Sequence, residues 1–288
     1  MKKKYILLIA GFLSVMNFFC WKEVFILSKN NSLEVHFLNV GQGDSAFIKT
    51  SENHQIIIDG GPNSIALEKI AKLIPFWDKT IDLAVLTHPD KDHMQGLIDI
   101  LKRYKADYIL ISGFEKETDD YKEWQKILEN QKSKGADIVL VKNGDRIILG
   151  KTLINILYPL KNSFIAMKDN DANETSVVSN IVFGSASFLF PGDISTKNEK
   201  EIIAVSDTAK NVDVLKVAHH GSKYSTSEQF LEKFAPRFAV ISVGKNSYGH
   251  PTQETLQRLE KFGIQVLRTD TDGDIKFVSD GININIIK

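Results

Sequence analysis

Beyond residue 32 the chain alternates between short apolar runs and clusters of turn-forming residues. The apolar runs are rich in Val, Ile, Leu and Phe, with Gly, Asn and Asp recurring between them, which is the pattern of β-strands joined by tight turns. This pattern predicts strands at 33–40, 46–49, 55–59, 83–86, 138–141, 152–157, 177–183, 187–190, 214–217, 238–243, 264–267 and 275–278.

Between these strands lie segments whose apolar residues recur every three or four positions, as in amphipathic helices. They predict helices at 65–76, 93–104, 120–134, 196–205, 225–234 and 252–262. The strands come in two batches, each followed by helices, and layer packing then favours two sheets face to face with helices outside. We therefore expect an α/β fold, a four-layer αββα sandwich, in a single domain over residues 31–288. Strand order does not follow from such patterns.

Residues 1–27 form a separate region. Lys2, Lys3 and Lys4 precede a nearly uncharged run at 5–21, which is short for a membrane span and also compatible with the core of a signal peptide. No small-residue cleavage site leads up to Cys20, and Phe19 stands where a lipoprotein signal needs a small residue. We expect an uncleaved membrane anchor with the body outside the cytoplasm. A cleaved signal, giving a secreted protein, is the alternative.

Composition adds little about partners but restricts the chemistry. Lys and Arg together number 36, as do Asp and Glu, so the overall charge indicates neither a nucleic-acid nor a membrane partner. The single cysteine, Cys20, lies in the apolar N-terminal region. The body therefore contains no disulfide and no cysteine metal ligand.

The segment 88–93 carries the densest chemistry in the sequence. His88, Asp90, Asp92 and His93 follow directly after the predicted strand 83–86. Residues two apart in an extended loop point the same way, so His88 and Asp90 can bind one ion, while Asp92 and His93 bind a second. Mixed imidazole and carboxylate ligands suit Zn²⁺ or Mn²⁺. The alternative is a polar loop in which an aspartate caps the helix at 93–104.

Two other predicted strands also lead to candidate ligands. The strand at 187–190 runs into Asp193, and the strand at 214–217 runs into His219 and His220. Active sites of layered α/β folds gather at the carboxyl ends of strands. We therefore expect two divalent ions, with Asp193 as the anion they share. This requires Asp193 and the histidine pair to lie within about 8 Å of the 88–93 loop.

Residues 87–93, Thr-His-x-Asp-x-Asp-His, resemble the His-x-His-x-Asp-His motif of the metallo-β-lactamase superfamily. The similarity is closer to the extracytoplasmic domain of ComEC-type DNA-uptake competence proteins and covers about residues 33–280. The motifs that carry it occur in order at 39–45, 58–61, 86–93, 173–176, 191–193, 218–222, 242–244 and 248–251.

This resemblance implies a set of metal contacts and supporting groups. Asp59 is expected to orient a ligand histidine, with Asp44 as a second supporting carboxylate. Asp90 stands where the wider superfamily has a histidine, which favours harder metals such as Mn²⁺. Asn173 and Ser176 occupy the place of another histidine. The implied metal contacts are His88, Asp90, Asp92, His93, Asp193 and at least one of His219 and His220.

No nucleophilic serine or cysteine is evident, so we expect the attacking group to be a water activated between the two cations. Asp92 or Asp193 is the candidate to take its remaining proton. His250 could contact substrate, complete the metal site, or hold the turn at 249–251. The candidates to hold a phosphate oxygen are Asn173, Ser176, Ser222, Lys223 and His250.

The leading expectation is therefore a phosphodiesterase, specifically a nuclease acting on extracellular DNA. One alternative is hydrolysis of a cell-envelope phosphodiester, such as a phosphorylcholine ester, or of another small ester or amide. Another is a non-catalytic binding module, against which the retention of every candidate ligand argues. Competence proteins carry a many-helix channel and this chain has one apolar segment. We thus expect a stand-alone relative or a partner of a separately encoded DNA channel.

Overall fold

The computed structural model of the chain describes residues 2–28, 31–160, 169–205 and 212–287. The helices in these ranges are α1 (Lys2–Ser28), α2 (Ile65–Leu73), α3 (Lys91–Arg103), α4 (Asp119–Ser133), α5 (Thr196–Val205), α6 (Glu228–Phe234), α7 (Gln253–Lys261) and α8 (Thr269–Asp272). The strands are β1 (Leu33–Phe37), β2 (Ala46–Lys49), β3 (Gln55–Ile58), β4 (Thr80–Val85), β5 (Lys105–Ile111), β6 (Asp137–Leu140), β7 (Arg146–Leu149), β8 (Thr152–Tyr158), β9 (Val178–Phe183), β10 (Ala186–Phe190), β11 (Val214–Lys216), β12 (Phe238–Ile241), β13 (Gln265–Arg268), β14 (Ile275–Ser279) and β15 (Ile284–Ile287). Two 3₁₀ segments lie at Asp169–Thr175 and Ala218–Gly221.

The strands form two mixed sheets. The first has the order β15-β14-β1-β2-β3-β4-β5-β6 and the second the order β13-β12-β11-β10-β9-β8-β7. Strands β3 to β6 run parallel to one another, and so do β10 to β13. The remaining pairs are antiparallel. Each sheet thus joins an antiparallel half to a parallel half.

Three apolar clusters fill the spaces between the layers. The cluster between the two sheets contains Phe37, Phe188 and Phe277, whose rings are in contact. A second cluster, which includes Trp124, lies between the first sheet and α2, α3 and α4. A third, which includes Phe230, lies between the second sheet and α5, α6 and α7. The predicted four-layer αββα sandwich is therefore confirmed.

The sequence pattern did not predict β5, β7 or β15. In β5 the polar Lys105 and Asp107 interrupt the apolar residues, and only alternate positions of β7 are even partly buried. β7 and β15 are the outermost strands of their sheets, where burial is incomplete and the apolar signal is correspondingly weak. The predicted strand 33–40 ends at Phe37, although one further bond, from Leu38 N–H to Ser45 O, continues its pairing with β2.

Helix α1 stands apart in composition. Its segment Lys3–Lys22 is long and apolar enough to cross a membrane, and none of it is buried against the described part of the body. A signal sequence near an N-terminus has the same length and composition.

Candidate metal centre

The candidate ligands meet at one edge of the sandwich, where several strands end. His88 follows β4, and His93 lies in the first turn of α3. Asp193 follows β10, and His220 lies in the 3₁₀ segment after β11. The candidate ligands therefore come from both sheets. Because the two sheets pack face to face, the strand ends that carry these residues lie close together.

Glycines at the start of α3 allow this convergence. A Cβ on Gly96 would lie 1.9 Å from Gly60 O, and a Cβ on Gly60 would lie 1.9 Å from Leu97 N. The backbones are joined by hydrogen bonds from Gly60 N to His93 O, 2.7 Å, and from Gly96 N to Gly61 O, 2.9 Å. Only residues without side chains permit this approach, which sets Asp59 beside His93.

Short distances join the ligand side chains into one cluster. Asp193 Oδ2 lies 3.4 Å from His93 Nε2 and 3.3 Å from His220 Nε2. Asp92 Oδ2 lies 3.2 Å from His220 Nε2, and the His88 and His93 ring centroids are 4.1 Å apart. The 88–93 loop, Asp193 and His220 are thus well within the span of a dinuclear centre.

Three imidazole nitrogens in this cluster are buried and make no hydrogen bond to a described residue, although two of them lie 3.2–3.4 Å from carboxylate oxygens. The Nε2 atoms of His88, His93 and His220 make no hydrogen bond within the described part of the chain. Buried polar atoms in native proteins nearly always have a partner. Two overlapping groups, His88 with His93 and Asp193, and Asp92 with His93 and His220, have ligand atoms within 4.8 Å of one another. The donor set therefore fits divalent cations.

The other ring nitrogen of each histidine is held by the protein. His93 Nδ1 lies 2.8 Å from Asp59 Oδ2, and His220 Nδ1 lies 2.8 Å from Ser242 O. His88 Nδ1 lies 3.1 Å from Thr87 Oγ1 and 3.3 Å from the hydroxyl of Ser176. Metal-binding histidines are oriented in this way, so that Nε2 faces the ion.

Asp59 is itself fixed at both oxygens, and this produces a specific prediction. Thr87 N donates to Asp59 Oδ1, 2.8 Å, and Thr87 Oγ1 donates to Asp59 Oδ2, 2.7 Å. We expect Asp59→Asn to weaken metal affinity about 10- to 100-fold, because the neutral amide no longer orients His93. Metal titration by competition with a chelating dye measures this. Asp82→Asn is the matched control, since Asp82 pairs with His54 away from the cluster; equal affinities in the two variants would contradict the role of Asp59.

Lys216 is a buried lysine beside the cluster that was not predicted from the sequence. Its ammonium contacts Asp44 Oδ2 and lies 3.4 Å from Asp193 Oδ1. Burial would lower the pKa of Lys216, yet the Asp44 and Asp193 carboxylates raise it above the usual value, so the side chain is charged. Burial would likewise raise the pKa of Asp44, but Lys216, with His220 and His93, lowers it to about 2.

The signal for Lys216 was present in the sequence. A lysine within a largely apolar strand often lies on its polar face, and no role was predicted for Lys216. All three residues of β11 are buried, however. A buried lysine requires a carboxylate partner, and Asp44 and Asp193 are the partners it finds.

The Asp193 carboxylate is buried against two histidines and a lysine. Burial acts to raise its pKa, but His220, His93 and Lys216 hold that pKa well below the ordinary value. Burial acts to lower the pKa of His93 and of His220. Asp193 and Asp44, joined by Asp59 at His93, nevertheless hold both pKa values well above 6.5. Cation binding would therefore release protons from these rings.

The two adjacent histidines occupy different places. Both adopt left-handed backbone angles, with φ of 50° at His219 and 53° at His220. This turn directs His220 to Asp92 and Asp193, whereas the His219 ring lies 5.4 Å from the His250 ring. His219 thus lines the approach to the cluster.

An open cleft of about 240 Å³ leads to these side chains. Asn173 and His250 from the predicted substrate-binding set line it, but Ser176 and Ser222 do not. Ser176 is fully buried, where its Oγ accepts from Asp193 N, and Ser222 is 3% exposed. The residues that line the cleft are Gln42, Asp90, Asp92, Asn173, Asp193, His219, His220, Tyr248 and His250.

Asp90 contacts a lysine, Lys116, that was not predicted from the sequence to lie near the site. Asp90 Oδ2 lies 3.6 Å from His88 Nε2, and Asp90 Oδ1 accepts from Lys116 Nζ at 2.6 Å. Burial acts to raise the pKa of Asp90, but His88 and Lys116 lower it. Asp90 is thus placed beside His88 as predicted, with one oxygen engaged elsewhere.

Comparisons with known proteins agree with this fold. Residues 38–159 match the metallo-beta-lactamase superfamily. The chain is 35% identical over 263 residues to ComE operon protein 3 of Bacillus subtilis, covering 85% of this chain and 33% of that protein. It is 27% identical to competence protein ComA of Neisseria gonorrhoeae, covering 94% of this chain and 35% of that protein. The chain thus spans about a third of the length of these relatives.

A solved structure supports the fold independently. The metallo-beta-lactamase fold protein YhfI of Bacillus subtilis superposes with a TM-score of 0.57 at 11% identity, covering 85% of this chain and 99% of that one. The two sheets match this fold, and the clustered histidines and aspartates suit a metal-binding member of it. This chain carries a metallo-beta-lactamase superfamily domain, a metal-dependent hydrolase fold, and its curated homologues are ComEC-type competence proteins.

Proposed function

We propose that the chain is a phosphodiesterase that cleaves nucleic acid outside the cytoplasm with two divalent ions, Zn²⁺ or Mn²⁺. The observation that carries this proposal is the set of three buried histidine Nε2 atoms that make no hydrogen bond with the described part of the chain, grouped with aspartates at the base of an open cleft. Buried nitrogens without a hydrogen bond are rare in native proteins, and bound cations would give these atoms their partners.

The cluster divides into two candidate positions that share Asp193. His88 and Asp90 lie on one side and Asp92 and His220 on the other, while His93 has a ligand atom within 4.8 Å of both His88 and His220. When bound, two cations lower the pKa of a water towards 7 and neutralise the charge that develops on a phosphate oxygen.

Asp92 is the better candidate to take a proton from the attacking water. Its side chain is 36% exposed and faces the cleft, whereas that of Asp193 is 4% exposed. Asp193 is also held at both oxygens, by Lys216 at Oδ1 and by His93 and His220 at Oδ2. Asp92 can therefore pass a proton to solvent, while Asp193 keeps a fixed position and charge.

His219 and His250 are placed to hold the substrate. Both line the cleft, and burial lowers the pKa of each; with the added effect of His219 and His220, the pKa of His250 is lowered to about 4. Both rings are therefore neutral at pH 7, and each can donate one N–H to a phosphate oxygen. Asn173, whose Oδ1 is buried without a partner, is a third contact in the same wall.

Aromatic and basic side chains near the cleft favour a polynucleotide over a small diester. Tyr248 is 74% exposed, and its ring lies 5.9 Å from His250 with a 31° interplanar angle. Lys223 and Tyr224, both exposed, follow His220 in the chain. Exposed aromatic faces beside cations are the features on which single-stranded bases stack. The curated relatives named as competence proteins support the same substrate class.

The test compares substrates on the full chain in detergent, loaded with Mn²⁺ or Zn²⁺. We expect cleavage of single-stranded DNA and of bis-p-nitrophenyl phosphate. Tyr248→Ala should slow DNA cleavage by roughly 5- to 150-fold, the worth of one stacked base, and leave the small diester unaffected. Tyr108→Ala, which removes an exposed tyrosine on β5, is the control.

Other outcomes would replace the proposal. Cleavage of the small diester without DNA cleavage would favour a cell-envelope phosphodiester as substrate. No cleavage of either substrate and no bound metal would favour a binding module.

A further inference from the structure

The end of the sandwich opposite the metal centre also has a distinctive surface. Strands β3, β4 and β5 are parallel, and β1 runs with them because two antiparallel pairings separate β1 from β3. All four strands begin at this end, which we call the basal end. From Thr80 at the start of β4 to His88 the chain rises about 25 Å, so the metal centre lies far from the basal end.

Three large apolar side chains project from the basal end. Phe76 and Ile282 are each 80% exposed, and Trp77 is 64% exposed. Phe76 and Trp77 follow α2 and precede β4, and Ile282 lies in the turn between β14 and β15. We call these three residues the basal apolar group.

The turns that carry the basal apolar group are firmly held. Asp78 N donates to Pro75 O, and the Asp78 carboxylate accepts from Thr80 N at 3.0 Å and from Gln55 Nε2 at 2.6 Å. The Phe76 and Trp77 rings pack edge to face, 4.9 Å apart. These side chains are thus presented outward by an ordered turn.

The Ile282 turn is fixed in the same way. Asp280 Oδ1 accepts from Ile282 N at 2.8 Å and from Asn283 N at 2.7 Å. These bonds hold the backbone of both turns in the conformation that presents the three apolar side chains outward.

The chain enters the body at the basal end, from α1. Five peptide steps join Ser28, at the end of α1, to Leu33, the first residue of β1; they span at most about 18 Å. Leu33 pairs with Ser279 of β14. Neighbouring strands are about 4.8 Å apart. Measured across the strands, the Ile282 turn therefore lies about 5 Å from β1 on one side, and the start of β4 lies about 14 Å from β1 on the other. The basal apolar group therefore flanks the point at which the chain arrives from α1.

Helix α1 has the dimensions of a membrane span. Its apolar segment Lys3–Lys22 covers 20 residues, or about 30 Å, the thickness of a hydrocarbon core. Trp21, 68% exposed, marks the end of this segment nearer the body, and tryptophan is enriched at membrane–water interfaces.

We propose that Phe76, Trp77 and Ile282 insert into the interfacial layer of the same bilayer that holds α1. The sandwich then stands on the membrane by its basal end, with the metal centre facing away from the lipid. This inference rests on the proposed membrane anchoring of α1 and is independent of the substrate. Aromatic and aliphatic side chains at the headgroup level supply the contact.

Site-specific labelling of the full chain in liposomes tests this orientation. Cys20 is the only cysteine, so Cys20→Ser gives a background for Trp77→Cys and Ile282→Cys, each labelled with bimane. Tyr224→Cys, at an exposed position near the metal centre, is the matched control. With nitroxide on the lipid headgroups, we expect loss of fluorescence and a blue shift at 77 and 282, with neither change at 224.

Each other outcome overturns the inference. Equal quenching at 77, 282 and 224 would show that the basal end does not rest on lipid. A blue shift at 77 and 282 without quenching would mean that a second protein copy covers these residues. Flotation with the liposomes is measured first, and a chain that fails to float would refute the membrane anchor itself, separately from the orientation. The two labelled positions lie on different turns, so a folding defect in one variant leaves the other informative.

Discussion

Asp193→Asn is expected to abolish the proposed dinuclear centre. Asp193 Oδ2 approaches both His93 Nε2 and His220 Nε2, and Oδ1 faces Lys216. The asparagine amide is uncharged and can present only one oxygen, so it cannot serve two cations and a lysine together. The loss of activity should exceed the roughly 10- to 100-fold that follows removal of an outer partner of a metal ligand.

Metal stoichiometry and hydrolysis of bis-p-nitrophenyl phosphate measure this effect. Elemental analysis after equilibration with excess metal should give fewer than two ions per chain for Asp193→Asn. Asp213→Asn is the matched control, because Asp213 lies at the other end of β11 and accepts from Ser187 N. A variant that keeps two ions and its activity would show that Asp193 is not the shared ligand.

Lys216→Met is expected to destabilise the metal-free chain by about 3–5 kcal/mol, the usual consequence of removing one partner from a buried ion pair. The side chain of Lys216 is 3% exposed and that of Asp44 is 9% exposed, so water cannot replace the ammonium. Without it, Asp44 and Asp193 face each other across the cluster with two negative charges and no lysine between them.

Denaturant unfolding of the metal-free chain measures this loss. Lys216→Arg should recover part of the stability, since it keeps the charge at the cost of a changed shape. Lys102→Met removes an exposed ion pair with Glu123 and should lower the free energy of unfolding by no more than about 1 kcal/mol. If Lys216→Met and Lys102→Met unfold at the same denaturant concentration, the buried pair contributes nothing.

The parts of the site that the sequence predicts are those encoded locally. His88, Asp90, Asp92 and His93 lie within six residues, and spacing alone groups them. Asp193 and His220 were predicted because each follows an apolar strand, and strand ends of one layer meet. The four-layer fold was predicted for the same reason, since it depends on the order of elements and not on which strands pair.

What the sequence does not encode locally was missed or left open. Lys216 belongs to the site because Asp44, 172 positions earlier in the chain, meets it across the sandwich. The choice between His219 and His220 depends on two left-handed backbone angles that no composition rule predicts. Ser176 was likewise predicted to contact the substrate, but it is buried beside His88. The sequence did not indicate this burial, because a serine in a loop can be either exposed or buried.

The origin of the ligands in both sheets has a consequence for folding. His88 and His93 belong to the first sheet and its helix, while Asp193 and His220 follow strands of the second. No half of the chain holds all the proposed ligands, so high-affinity binding of the proposed ions would require the assembled sandwich. Ion concentration a hundredfold above the dissociation constant would add about 2.7 kcal/mol to the folded state. A shortage of metal would then lower the stability of the folded chain as well as its proposed hydrolytic activity.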